Sequence, residues 1–365
     1  MNRRNWSRHL LALTGGIAAS ARAASQGGAA ASSKPERLDI PAEGGLTDVA
    51  GLKVGHFTEK RRPTGCTVVL CEAGAVAGVD VRGSAPGTRE TDLLNPVNTV
   101  QQVHAILLSG GSAYGLDAAG GVMRYLRERG IGYKIGSNVV PIVPAAILFD
   151  LGLGDASIWP TAESGYQACL VAKAGKVPEG NVGAGAGAIV GKLFGLKSAM
   201  KSGLGTASLR VGDTGIVVSA IVAVNAVGDV INPKSGRIVA GARTTDGKGF
   251  VDSMARIRAG YNVKLPPPPP ANTTIGVVAT NVAFDKAQVT KIAQMAHDGL
   301  ARCITPVHTP ADGDTIFALA TGALGVKANH GMIGAIAADV MAQAVLRAIL
   351  AAEGIPGLPS YRDLL

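Results

Sequence analysis

Short apolar runs broken by glycine fill the first third of the chain: Thr67–Leu70, Val76–Val81 and Val103–Leu108. Runs of this length between glycines read as buried strands. From about Ala113 to Arg129 the pattern turns helical. The run Ile216–Val224 is long enough for a buried strand, and Val227–Ile231, after a short turn, reads as its hairpin partner. Five consecutive prolines, Pro266–Pro270, then interrupt the pattern. They impose an extended polyproline helix of about 15 Å that cannot join a sheet interior. Directly after them TTIGVVATN, from Thr273, reads as a strand that opens a second sheet layer. A helix follows near Asp285–Arg302, with Val289, Ile292, Ala293, Ala296 and Leu300 on one face. Thr315–Ala320 reads as another strand, and a long apolar helix runs from about His330 to Glu353, stopped by Gly354 and Pro356. Strands covered by helices predict a layered α/β sandwich.

Composition changes this picture little. Fifty glycines and nineteen prolines follow no three-residue period, so they read as turns and close packing and not as a fibre. The formal charge of +9 shrinks once residues 1–23, with four arginines and no acid, are set aside, leaving 31 basic against 26 acidic residues. No stretch interleaves basic residues with stacking aromatics, which argues against a nucleic-acid partner. Residues 1–23 read as an export signal of twin-arginine type: Arg3 and Arg4 precede Trp6, a weak apolar segment Leu10–Ala19, and the small-residue site Ala21-Arg22-Ala23. This predicts a periplasmic mature protein starting at Ala24, with residues 24–39 a tether and order beginning near Ile40. No later apolar run is expected to span a bilayer. Cys66, Cys71, Cys169 and Cys303 lack the paired spacing of a zinc or redox site, and Cys66 and Cys71 would point to opposite faces of one strand, so no disulfide is expected.

Two segments invite chemistry. The glycine-rich SGGSAYG, Ser109–Gly115, opens a helix whose amides could hold an anion, but its spacing is not that of a dinucleotide fingerprint, and GAGAGAIVGK lacks the spacing and the hydroxyl residue of a P-loop. The second segment is the junction Asn272-Thr273, where an exposed proline tract meets a buried strand. Attack of the Thr273 hydroxyl on the Asn272 carbonyl, an N-to-O acyl shift and hydrolysis would free the Thr273 α-amine. An α-amine titrates at roughly 7.7 to 8.0, so it can act as base for its own hydroxyl near neutral pH. Read without other information, Asn-Thr-Thr after prolines is equally a loop entering a strand.

From Gly44 onward the sequence resembles the DmpA-type peptidases, which comprise L-aminopeptidase/D-Ala-esterases, β-peptidyl aminopeptidases and nylon-oligomer amide hydrolases. The resemblance is carried by GLTDVAGLKVGH at Gly45, PTGCTVVL at Pro63, DVRGSAPGTRETDLL at Asp80, LSGGSAYGLDAAGGV at Leu108, GAGAGAIVGK at Gly183, AVNAVGDV at Ala223, NTTIGVVATN at Asn272 and HTPADGDTIFALATG at His308. It implies a four-layer αββα sandwich cut between Asn272 and Thr273 into a 249-residue chain (24–272) and a 93-residue chain (273–365) that stay in one domain. It makes Thr273 the nucleophile and maps the family's polar partners onto Asp312, Asp314, Lys192 and Asn225. The Asn225 amide suits an oxyanion donor, and it equally suits a hairpin cap. Lys192 would hold the Thr273 oxygen or balance the acids, or be an ordinary lysine at a strand end. Asp312 and Asp314 would orient the Thr273 ammonium, or form a polar turn around Gly313. His308, close to these acids, reads as structural. Ser112, Tyr114 and Phe149 are expected substrate contacts. Several relatives carry a tyrosine where this chain has Phe149, which cannot donate a hydrogen bond, and Tyr114 is a candidate replacement donor.

The expectation is a self-processing amide hydrolase without cofactor or metal, acting on short peptides or β-peptides through an acyl-enzyme, and assembled as a homo-oligomer, often a tetramer in this family. Hydrolysis of 6-aminohexanoate or similar polyamide oligomers is the alternative that the NTTI junction favours. An acetyltransferase on the same self-cleaving scheme and an unprocessed periplasmic small-molecule binder are further readings.

Overall fold

The computed structural model describes residues 35–41, 43–264 and 272–365. The export signal, most of the tether and the proline tract lie outside the described residues. Strand β2 (Gly65–Val81) is the spine of the fold, because its 17 residues run through both leaves of one nine-stranded sheet in succession. Its first half pairs antiparallel with β1 (Lys53–Thr58) and with β3 (Gln102–Ser109), and β4 (Ala145–Ile147) adds parallel to β3. A register shift between Leu70 and Ala75 re-aims the strand. Its second half then pairs with β8 (Thr315–Ala320), beyond which lie β7 (Thr273–Thr280), β6 (Val217–Asn225) and β5 (Leu204–Arg210).

Side-chain alternation converts this one path into two facing leaves. Val68 and Leu70 pack outward with helices α1 (Ala118–Arg127) and α2 (Ala162–Leu170). Val69 and Cys71 point inward, where Ile106 and Leu108 of β3 meet Ile275 and Val277 of β7 and Phe317 of β8. On the far side Val278, Ile316 and Ala318 pack outward against α3 (Lys286–Cys303) and α4 (His330–Ala351). The order is therefore helix, sheet, sheet, helix, a four-layer αββα sandwich. The four cysteines are free and buried, with Cys66 and Cys71 in different layers.

Local sequence explains the covering helices. Asp285 caps α3 by accepting from Gln288 N at 2.9 Å while the Gln288 side chain accepts from Asp285 N at 3.1 Å, the reciprocal box of a D-x-x-Q start. The expected apolar face of α3 (Val289, Ile292, Ala293, Ala296, Leu300) is buried as read. Helix α4 lies so close to β5 that a Cβ on Gly205 would sit 2.1 Å from the Ala344 carbonyl oxygen.

Four expectations change. The chain is anchored ahead of Ile40: the Tyr361 hydroxyl donates to Glu36 O at 2.7 Å and accepts from Leu38 N at 3.0 Å. Val227–Ile231 is not the hairpin partner of β6; Asp229–Ile231 pairs with Ile238–Ala240 and Ile304–Thr305 in a small separate sheet, held by the buried Asp229 carboxylate on Ala242 N and Ser253 N. Thr273 does not open a new layer, since β5 and β6 already belong to its sheet and β7 inserts between β6 and β8. Finally, α4 is long and apolar enough by length and composition to cross a membrane, contrary to the expectation from the sequence. It is instead a core helix whose buried residues include Arg347, bonded to Glu179 and to the Glu43 and Gly44 carbonyls.

Candidate active site

The alternation that points Ile275 and Val277 into the inter-sheet layer puts Thr273 on the same face at the first position of β7. On the neighbouring strand Ile221 and Ala223 point inward, and so does Asn225 at its last position. Asn225 and Thr273 are Cα partners across the antiparallel pair, so two polar side chains meet where the apolar layer ends. Both are buried.

The turn before β8 closes over this point. Asn272 bridges Asp312 in parallel register, and Gly313 N donates to the Asn272 carbonyl at 3.0 Å. The Thr273 hydroxyl donates to the same carbonyl oxygen. Gly313 is required by space: a Cβ there would lie 2.9 Å from Thr273 Oγ1 and 2.5 Å from the Ala85 carbonyl oxygen. Asp312 accepts from Thr309 N at 2.7 Å, and burial together with the neighbouring Asp314 charge raises its carboxyl above the usual range. Asp314 accepts from Thr274 N at 2.6 Å through one oxygen and from His308 N (3.1 Å) and Nδ1 (2.8 Å) through the other.

Lys192 enters from the GAGAGAIVGK segment. Gly191, with φ of +72°, turns the chain so that Lys192 N bonds the Val227 carbonyl at 2.9 Å. Lys192 Nζ then donates to the Asn225 carbonyl at 3.0 Å and to its Oδ1 at 2.9 Å. Desolvation pushes this amine down to about 7, against the opposing pull of Asp312, Asp314 and Asp150. Ile189 N also donates to Asn225 Oδ1, at 3.2 Å, and Asn225 Nδ2 donates to the Phe149 carbonyl at 3.0 Å. The Asn225 amide is thereby held in one orientation.

A cleft of about 130 Å³ opens at Thr273, lined by Pro86, Ser112, Ala113, Ile147 and Phe149 among others. Larger cavities, by Arg243 and Pro356 and by Leu38 and Arg302, contain none of these groups. Of the residues expected from the sequence, Thr273, Asn225, Lys192, Asp312 and Asp314 are brought into one neighbourhood, with Ser112 and Phe149 at its mouth. Tyr114 is not: its ring is 57% exposed, stacks on Trp159 at 4.5 Å and lies outside the cleft lining. Ser112, in place of Tyr114, brings a hydroxyl to the cleft. Among the described residues no group of three or more His, Cys, Asp or Glu side chains is arranged to hold a metal ion.

The sequence reading missed a buried ion pair beneath the cleft. Arg62 Nη2 meets Asp150 Oδ1 at 2.7 Å with both side chains fully buried, and Asp150 also accepts from Gly111 N (2.9 Å) and the Thr64 hydroxyl (2.7 Å). The pair pins the glycine-rich loop to the segment whose Phe149 carbonyl holds Asn225. The one available signal was an aspartate directly after the apolar run AAILF.

Comparison with known proteins shows the family. Residues 44–361 match the model of peptidase family S58. An uncharacterised aminopeptidase of Mycobacterium tuberculosis is 43% identical over 358 residues, covering 87% of this chain and 97% of that protein. A 6-aminohexanoate-oligomer endohydrolase of Kocuria sp. (strain KY2) is 34% identical over 321 residues, covering 82% of this chain and 84% of that protein. The L-aminopeptidase D-Ala-esterase/amidase of Ochrobactrum anthropi, a variant of the Ntn hydrolase fold, superposes with a TM-score of 0.64 at 22% identity, covering 87% and 92% of the two chains. A β-aminopeptidase of Burkholderia sp. superposes equally well, with a TM-score of 0.64 at 22% identity over 88% and 91% of the chains. The chain belongs to peptidase family S58, and is a hydrolase of the aminopeptidase and amidase class.

Proposed function

We propose that this hydrolase is made as an intact precursor that severs its own Asn272–Thr273 bond and then works through the Thr273 released. The observation that carries the reading is the Asn272 carbonyl, which receives the Thr273 hydroxyl and the Gly313 N–H together. In self-cleavage Thr273 Oγ1 adds to the Asn272 carbonyl carbon, and Gly313 N–H stabilises the oxygen as it becomes negative. The C–N bond breaks, the Thr273 nitrogen leaves as an amine carrying the proton given up by the hydroxyl, and water hydrolyses the ester to free the Asn272 carboxylate. In turnover the α-amine takes the hydroxyl proton, Oγ1 attacks a substrate amide, the amine product leaves with that proton, and water releases the acyl group. Asn225 is the oxyanion donor of this second cycle, Lys192 fixes the Asn225 amide, and Asp312 and Asp314 hold the Thr273 end of the strand.

The small cleft, lined by both apolar and polar groups, fits a short acyl group, so the preferred substrates are short peptides or β-peptides. Polyamide oligomers are the second reading, favoured by the Kocuria relative and by the NTTI junction. A β-alanyl dipeptide and a linear 6-aminohexanoate oligomer, each incubated with pure enzyme, separate the two. The twin-arginine pattern at Arg3 and Arg4 supports export to the periplasm, and the family resemblance favours a homo-oligomer of processed protomers. The central test is a denaturing gel with N-terminal sequencing: the processed enzyme runs as two bands, the smaller beginning Thr-Thr-Ile, while T273A stays one band and inactive. A single intact band from fully active protein overturns the proposal, and a single intact band without amide-hydrolysing activity makes an unprocessed binder the better reading.

A further inference from the structure

We infer that His308 is a positioning residue for the Thr273 reaction, acting through Asp314, and not merely a turn residue before β8. The inference rests on Thr273 being the nucleophile. The Asp314 carboxyl group is buried at the head of β8, where its oxygens need hydrogen-bond donors. It has three, and two come from His308: the backbone N and ring Nδ1 both reach Asp314 Oδ2, at 3.1 and 2.8 Å. The third is Thr274 N on Asp314 Oδ1, at 2.6 Å, one residue past the nucleophile. His308 thus clamps one oxygen of the carboxylate whose other oxygen fixes the start of β7.

The backbone of His308 carries the cost of this clamp. Its φ of +57° lies in the left-handed region that a residue with a bulky side chain adopts only under constraint. In that conformation the main-chain N and the ring reach the same oxygen, and the next residue, Thr309, turns its N onto Asp312. One strained residue therefore seats both acids of the ADGD turn.

The surroundings also fix the orientation of the ring. Its Nδ1 faces the carboxylate, and its Nε2 is buried without a hydrogen-bond partner among the described residues. His297 packs edge-on to His308, with ring centroids 4.8 Å apart. Its Nε2 donates to the Asp80 carbonyl at 2.9 Å, so its Nδ1 is a lone pair, likewise without a partner. Asp80 Oδ2 lies 3.6 Å from His297 Nε2 and is itself paired with Arg82. Burial and the neighbouring His308 push His297 down to about 4, so its ring is neutral at neutral pH. Each imidazole thus presents one ring nitrogen to an oxygen and turns the other into the packed interior. The pair behaves as a fixed support whose working end is the His308 Nδ1–H.

Two substitutions separate the backbone role from the ring. H308G accepts the left-handed φ without strain and removes the ring. H308N tolerates the same φ and places an amide N–H near the position of Nδ1. Both are made in the full chain, with T273A in parallel, and thermal melts establish that each is folded. Displacement of a catalytic group by about 1 Å costs on the order of 100-fold, so H308G is expected to lower kcat and the self-processing rate by roughly 10- to 100-fold with KM within about twofold. H308N is expected to restore kcat to within about threefold of the natural protein. A folded H308G with unchanged kcat overturns the inference, and so does an H308N as slow as H308G. Failure of the underlying reading is seen separately, as processing or turnover by T273A.

Discussion

Asn225 and Thr273 close the two central strands of the second leaf as direct cross-strand partners, one chain position from the end of an otherwise apolar layer. Their side chains share a face, and the Asn225 amide is oriented by Lys192, Ile189 and Phe149 before any substrate arrives. Such a fixed donor stabilises developing negative charge without reorganising. N225A is therefore expected to reduce kcat by about 100- to 1,000-fold, as loss of one oxyanion donor does elsewhere. Steady-state kinetics read this directly. A loss confined to KM would assign Asn225 to substrate binding instead.

Gly313 admits no side chain. The nearest atoms to an added Cβ include the Ala85 carbonyl oxygen at 2.5 Å, which belongs to a backbone segment that also bonds Asp312 O through Ala85 N. G313A must move that segment or the ADGD turn, and either shift carries the Gly313 N–H off the Asn272 carbonyl. Disappearance of the uncut precursor, followed on a denaturing gel after a translation pulse, should be slowed well beyond tenfold, with a stability loss of about 1 to 3 kcal/mol from overpacking. Processing at the natural rate would remove Gly313 from the scheme.

Two lysines whose amines are desolvated, the buried Lys201 and the half-buried Lys192, give stability an unusual pH dependence. Lys201 has no exposed surface and donates to the Gly185 and Ala188 carbonyls at 3.1 and 3.0 Å and to that of Ser202. Burial pushes it down to about 7, as it does Lys192. An unfolded lysine titrates near 10.4, so above pH 7 the unfolded chain binds more protons than the native one and stability rises with pH. Above about pH 8.5 the sign reverses, because buried Cys71, Cys169 and Cys303 are pushed up to about 12, and Cys66 further up, while unfolded thiols ionise. Urea unfolding of the single-chain T273A protein should show a maximum near pH 8.5, and K201M should flatten the rise from pH 7. A stability that falls steadily from pH 7 to 8.5 contradicts this.

Much of the fold was readable where periodicity and chain order coincide. The face of α3 and the strand after the prolines follow from spacing alone, as does the opposite facing of Cys66 and Cys71. What could not be read depends on contacts between distant segments. The stretch Gly65–Val81 looks like two strands because Glu72-Ala73-Gly74 breaks its apolar run, yet one continuous strand passes from leaf to leaf there. Asp229–Ile231 was assigned to the nearest strand in sequence, whereas Ile304–Thr305 pairs with it across the fold. Tyr114 shares the glycine-rich loop with Ser112, but its ring stacks on Trp159 and lies outside the cleft lining. At the site, the Asn272-Thr273 junction suggested a nucleophile and the family resemblance supplied its candidate partners, while the roles proposed for Gly313 and His308 rest on distances alone.

The Arg62–Asp150 pair links stability to the site. Both charges are fully buried, and every oxygen of the carboxylate is engaged: Oδ1 by Arg62 and Gly111 N, Oδ2 by the Thr64 hydroxyl. Arg62 also donates to the carbonyls of Asp150, Leu153 and Ile158, so it braces the whole segment that follows Phe149. Removing one member leaves the other charge uncompensated in a dry interior, which costs about 3 to 5 kcal/mol. R62M in the T273A background should lose that much in urea unfolding. In the processed enzyme the same change loosens the Phe149 carbonyl that holds Asn225 Nδ2, so kcat should fall while KM changes little. A stability loss below about 1 kcal/mol would class the pair with surface ion pairs and break the proposed link between the loop beneath the cleft and the orientation of Asn225.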